Sequence, residues 1–173
     1  MRNGLSLFVV AAVLVLAGTG RAHAQELAAR HTLGVTTGAV NFDLSGTGTT
    51  WGVAVRGTRA LTSNLALDLG ALFAWPDLQG GSARLIVPEV QLQYHWRFGR
   101  LAPYAGGGVG FAYQSREGSQ SATNLVLSGT GGVRAYVSDG IALMGEFRLR
   151  GHERDFSGTT AEWMGGLSFD IAR

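Results

Sequence analysis

The sequence predicts an all-β fold, an eight-stranded antiparallel up-and-down barrel that crosses a membrane, and three observations carry the prediction. Segments of roughly ten residues alternate apolar and polar side chains, each closes on turn residues, and none is apolar enough to be a membrane helix. Composition agrees, since 27 Gly against 3 Pro favour strands and tight turns over helices.

The first residues give an address. Arg2 precedes an apolar run from Leu5 to Leu16, then small residues and Ala22-His23-Ala24, the pattern of a secretory signal peptide with its cleavage site. The run is too short to span a bilayer, so residues 1–24 are expected to be removed and residues 25–173 to form a single barrel domain. The formal charge of +2 includes Arg2 and Arg21, and without them basic and acidic residues balance. Nucleic-acid binding therefore has no electrostatic support. There is no cysteine, which excludes disulfides and thiolate chemistry in an oxidising compartment. All 14 basic residues are arginines, the residue suited to fixed ion pairs in confined space.

The first strand begins near Arg30, with Leu33, Val35, Thr37 and Ala39 on one face and Thr32, Gly34, Thr36 and Gly38 on the other. The second places Trp51, Val53 and Val55 opposite Gly52, Ala54 and Arg56. After a turn at Leu61-Thr62-Ser63, the third carries Leu65, Leu67, Leu69, Ala71, Phe73 and Trp75 against Asp68 and Gly70. The fourth alternates Ile86, Pro88, Val90, Leu92, Tyr94, Trp96 and Phe98 with Glu89, Gln91, Gln93, His95 and Arg97. Pro88 lacks a ladder donor and is expected near a rim. The fifth runs from Pro103 to Gln114 through a glycine cluster, and the sixth from about Asn124 to Val137 with Leu125, Leu127, Val133, Ala135 and Val137 outward. The seventh alternates Ile141, Leu143, Phe147 and Leu149 with Glu146, Arg148 and Arg150. The eighth alternates Trp163, Leu167, Phe169 and Ile171 with Glu162, Ser168 and Asp170.

Short connections near Leu61, Gly99 and Ser138 alternate with longer polar ones near Gly46, Gly80, Gly118 and Gly158. In a spanning barrel the short turns face the periplasm and the long loops the outside. Trp51, Trp75 and Trp163 then form one aromatic tier and Tyr94, Trp96 and Phe98 the other, the two girdles expected at membrane interfaces.

The segment Leu101-Ala102-Pro103-Tyr104-Ala105-Gly106-Gly107-Gly108-Val109-Gly110-Phe111-Ala112-Tyr113 resembles the glycine-alternating strand of the small outer-membrane barrel family that includes OmpA-like and OmpX-like proteins. Gly129 to Tyr136 and Gly165-Gly166-Leu167-Ser168-Phe169 sit where that family has its sixth and closing strands. The resemblance implies a fold and the bacterial outer membrane, not an activity. It also implies contact with lipid, lipopolysaccharide and the barrel-assembly machinery, as a monomer with no cofactor. Ile171-Ala172-Arg173 departs from the usual terminal aromatic, a role left to Phe169.

The inward face holds Arg56, Asp68, Glu89, Gln91, Gln93, His95, Arg97, Arg134, Glu146, Arg148, Arg150, Glu162 and Asp170. Charges confined in a narrow lumen need partners to offset desolvation. Arg56 with Asp68 and Arg134 with Glu146 lie near-opposite across hairpins and are expected to pair. Glu89, Arg97 and Arg148 are expected in the same lumen set, giving a plugged polar interior with at most minor solute passage. The glycines of the fifth strand are expected to make room for Tyr104, Tyr136 or arginine side chains.

Two other functions compete with this reading. Outer-membrane enzymes acting on lipid A use His, Ser and an acid near the outer rim, and His152, Glu153, Asp155 and Ser157 cluster in the last long loop. The residue two after His152 is Arg154, however, where the deacylase has Ser, so no residue is given a catalytic role. A secreted lipocalin-type barrel would turn its apolar face inward around a ligand. His31, His95 and His152 are too scattered for a metal site. The leading expectation is thus a structural or surface-interaction barrel whose outside partner the residues do not specify.

Overall fold

A computed structural model describes residues 31–42, 48–78, 81–116, 121–152 and 158–171, so the expected signal peptide and most of the long loops lie outside the described residues. The strands are β1 (His31–Asn41), β2 (Thr49–Ala60), β3 (Leu65–Ala74), β4 (Asp77–Leu78), β5 (Gly81–His95), β6 (Leu101–Arg116), β7 (Ala122–Ser138), β8 (Ile141–His152) and β9 (Gly158–Asp170). All neighbours pair antiparallel, β3 pairs directly with β5, and β1 pairs with both β2 and β9, so eight long strands close a barrel. The two-residue β4 only lengthens one hairpin, pairing Asp77 with Ser82 and Leu78 with Gly81. Closure leaves no strand edge, which is the condition for placing a sheet in hydrocarbon.

Strand alternation sets the two faces. Along β1, Thr32, Gly34, Thr36, Gly38 and Val40 are buried while Leu33 and Val35 are exposed. The outer surface carries a band of large apolar residues: Trp51 is 70% exposed, Trp163 63% and Phe98 62%. A water-soluble sheet would bury such residues, and a lipocalin-type barrel would turn them inward; this barrel presents them outward, which overturns the lipocalin alternative. Ala135 is an exception, outward by alternation yet 6% exposed, with the large residues Leu101 and Leu143 as its cross-strand partners.

One end of the barrel carries the tight turns. Leu61 and Thr62 N–H groups donate to the Leu65 carbonyl, and the Asn64 side-chain amide donates to the His95 carbonyl at 2.8 Å, tying two hairpins together. The next turn closes with reciprocal Phe98 and Leu101 bonds, and Gly99 takes a φ of 61°, a left-handed conformation that a side chain would strain. The Asp139-Gly140 turn follows a register shift between Tyr136 and Ser138. The long connections lie at the opposite end.

Pro88 is not near a rim. It stands in the middle of β5, opposite Ala71 of β3, and the β5–β6 pairing lapses at Val87 and Pro88 before resuming in the same register at Glu89 and Gly110. Proline has no N–H to give a ladder, and the pairing shows a gap beside it rather than a bulge.

Candidate functional site: a two-part lumen

The lumen is built from one parity of every strand, and its two halves differ. A network of buried ions runs from the turn side up to Arg150 and Glu162 at the edge of an apolar cluster, and that cluster occupies the rest of the loop end.

The ionic half is a single run of alternating charge. Arg56 of β2 reaches Glu146 of β8, with Nη1 2.5 Å from Oε2. Glu146 meets Arg148 Nη2 at 2.8 Å, Arg148 bonds Glu89 of β5, Glu89 accepts from Arg150 Nε at 2.9 Å, and Arg150 bonds Glu162 of β9. Three arginines and three glutamates from four strands thus form a neutral chain of buried side chains. Uncompensated burial of any one would cost several kcal/mol, so neutrality along the run is what permits it. The Tyr104 hydroxyl donates to Glu146 at 2.6 Å, and the His95 ring stacks on Tyr104 at 5.2 Å.

Two expected pairs are not formed. Arg56 pairs with Glu146 rather than Asp68, and Arg134 donates instead to Thr58 Oγ1 at 2.9 Å and Thr32 Oγ1 at 3.3 Å. Thr58 in turn donates to Asp68 at 2.8 Å, so one hydroxyl relays between the Arg134 cation and the Asp68 anion. Register explains the exchange. Thr58, not Arg56, stands opposite Asp68, and Gly132 stands opposite Glu146. The missing side chain at Gly132 leaves room for Tyr104, whose ring a Cβ there would meet at 2.6 Å. The Arg134 guanidinium lies 5.5 Å from the centre of that ring. Arg97 lies past the end of β5, half-buried, and engages neighbours of its own.

The glycine cluster makes room for different residues from those expected. A Cβ on Gly108 would meet the Val90 carbonyl oxygen at 2.3 Å and Gln91 Cγ at 2.4 Å, and Gly106 and Gly110 stand likewise against Gln93 and Glu89. The bare β6 backbone lets three long β5 side chains lie across it. Gln91 then donates to Ser128 of β7 at 2.9 Å and Gln93 donates to Gln91 at 3.2 Å, carrying the polar network around the wall.

The other half departs from the expectation of a polar interior. Val40, Ala54, Leu72, Ala74, Leu85, Val87, Ala112, Val126 and Met164 form a buried apolar cluster with Phe42 packed against it, so the lumen is polar over only part of its length. Each of these residues has the parity of the lumen. The signal in the sequence is the fading of the alternation, as at Leu85-Ile86-Val87, because apolar residues stand there on both faces. Within this cluster is a cavity of ≈ 180 Å³ whose lining includes Phe42, Leu72, Leu85, Val87 and Val126, with Gln114, Asn124 and Thr160 as polar members and Arg150 and Glu162 at one side.

Outside, Trp51, Trp75 and Trp163 are exposed toward the loop end, and Tyr94, Trp96 and Phe98 toward the turn end. Phe147 packs on Trp163 at 4.3 Å, and Tyr94 meets Trp96 edge-on at 5.1 Å. Of the last-loop quartet, Glu153, Asp155, Ser157 and the side chain of His152 lie outside the described residues. Among the described residues no group of three or more His, Asp or Glu is placed to hold a metal ion.

A closed barrel, apolar outside and ion-paired within, defines an integral membrane β-barrel. The profile of the outer membrane protein beta-barrel domain family matches residues 9–169, and the chain belongs to that family. Its fold is similar to Neisserial surface protein A, with a TM-score of 0.71 at 11% identity over 82% of this chain and 97% of that one. It is also similar to Ail, the attachment invasion locus protein of Yersinia pestis, solved with the heparin analogue sucrose octasulfate (TM-score 0.53, 13% identity, 82% and 97% covered). The outer membrane enzyme PagL is a further structural relative (TM-score 0.55, 15% identity, 81% and 99% covered). No curated protein matches the sequence. Family and fold together make this a protein of the bacterial outer membrane.

Proposed function

We propose that the chain is exported by its N-terminal signal, inserted by the barrel-assembly machinery, and acts as a monomeric, non-conducting outer-membrane barrel that displays its long loops to the outside. The outward apolar band meets lipid, the two aromatic tiers sit at the interfaces, and the loop end meets lipopolysaccharide or an external partner. The observation that carries this reading is the neutral run from Arg56 to Glu162, whose buried side chains occupy the narrow lumen on the turn side of the apolar cluster and up to its edge. Planar-bilayer recording on the refolded protein tests it. The expected trace shows no unitary steps; regular openings of defined conductance would overturn the sealed lumen. Heat-dependent migration on a detergent gel, together with outer-membrane fractionation, checks insertion.

We assign no enzymatic step. The double change His152→Ala, Ser157→Ala is expected to leave the host's lipid A profile as it is with the unaltered protein, and loss of a modification in that profile would reverse the assignment.

A further inference from the structure

We propose that the apolar cup at the loop end of the lumen is a binding pocket for a small uncharged molecule with an apolar, ring-sized body and one hydrogen-bonding group. This goes beyond the closed-barrel reading and does not require it, since binding and conductance are read separately.

The argument begins with placement. A lumen end nearest the long loops is the end nearest external water, where polar residues cost nothing, yet Leu72, Val87 and Val126 are each no more than 2% exposed there. They do not fill the space they enclose, for the cavity between them measures ≈ 180 Å³. A void of roughly 150 Å³ with apolar walls takes a benzene-sized guest, so this volume suits a body of one ring or two fused ones.

Charge decides the next point. Arg150 and Glu162 border the cavity, but Arg150 is engaged by Glu89 and by Glu162 itself. That side therefore presents a compensated pair and calls for no counter-ion, and a charged guest would have to shed its water against apolar walls for no partner. Thr160, Gln114 and Asn124 supply hydrogen-bonding groups along the lining, which is the ordinary makeup of a small-molecule site: mostly apolar, with a few polar groups to orient the guest. Of the ion run, only the stretch from Arg56 through Glu146 to Arg148 lies beneath the cup, on its turn side.

Indole is a suitable neutral probe and benzoate its charged counterpart. With methyl-labelled protein in lipid nanodiscs, indole is expected to shift the Leu72, Leu85, Val87 and Val126 signals saturably, and benzoate to leave them in place. Filling the cup with Val126→Phe or Ala112→Leu is expected to weaken indole by at least about tenfold. Shifts confined to the outward methyls of Leu125 and Val109, rising without saturation, would mean partition into lipid and overturn the pocket. So would saturable lumen shifts of undiminished affinity in a filled variant that still migrates as a heat-modifiable barrel. If neither variant folds, the contrast between lumen and outward methyls in the unaltered protein still decides.

Discussion

The two halves of the lumen are held by different physics although the same eight strands build both. In the turn-side half the buried charges are held by directional partners, so Glu146 is gripped at once by Arg56, Arg148 and Tyr104. In the loop-side half, contacts are non-directional and leave a void. Directional pairing tolerates no vacancy, because an abandoned ion stays buried; apolar packing tolerates one at a cost set by the volume left open. Substitutions in the two halves should therefore differ in size and in how they can be rescued.

The largest effect is expected at Glu146. Replacing it with Ala leaves Arg56 and Arg148 facing each other without the acid between them, and should cost roughly 3–5 kcal/mol of unfolding free energy, the range for breaking a buried pair from one side. Urea titration in lipid vesicles, followed by tryptophan fluorescence, measures it. A double replacement, Arg56→Met with Glu146→Leu, should recover a good part of the loss by removing both charges. If the single change costs under about 1 kcal/mol, the ion run is solvated and the contrast between the halves collapses.

Next is Gly108, where packing beneath the ionic half meets backbone. Gly108→Ala should cost about 2–3 kcal/mol, the upper range for overpacking, since its Cβ would press on the Val90 carbonyl and on Gln91. Gly129→Ala is the control: nothing lies within 4 Å of a Cβ there, and the change should be close to neutral. Equal costs at the two positions would show that close approach is not what selects glycine on β6. Leu72→Ala in the apolar half follows, at about 2 kcal/mol, the low end for a buried leucine because one side of its side chain already borders a void and has fewer contacts to lose. Its indole affinity should change while the unfolding behaviour of the ionic half stays as it was.

How much of this is legible in the sequence follows from what a period of two encodes. Alternation fixes which way Arg56, Glu89 or Trp163 faces, and those facings agree with the structure. It does not encode who meets whom across a lumen. Arg56 and Glu146 lie 90 residues apart on strands that never pair, and their contact depends on register and closure together. A register displaced by two residues keeps every side chain on its face yet exchanges its opposite neighbour, which is why the sequence suggests Arg56 as the partner of Asp68 and Thr58 is the residue that stands there. The apolar half escapes for the complementary reason. Where both faces are apolar the alternation disappears, and Val87 beside Ile86 reads as a continuous strand rather than as a lumen wall.

The smallest expected effect falls on the border between the halves. Pro88 separates Val87, which lines the cavity, from Glu89, which anchors two arginines, and the β5–β6 ladder lapses beside it. If the missing proline donor causes the lapse, Pro88→Ala restores one backbone bond, worth about 0.5–1.5 kcal/mol net, offset in part by the greater freedom of alanine in the unfolded chain. The expected sum is a stabilisation below about 1 kcal/mol, accompanied by slow amide exchange at the substituted residue and slower exchange at its β6 neighbours. Exchange that stays fast there, with no gain in stability, would place the cause in the wall itself: inward packing of Val87 and Ala112 on one side and the anchoring of Glu89 on the other would be holding the strands apart. The seam would then be a property of the junction between an apolar and an ionic lumen, and the proline a residue that the junction accommodates.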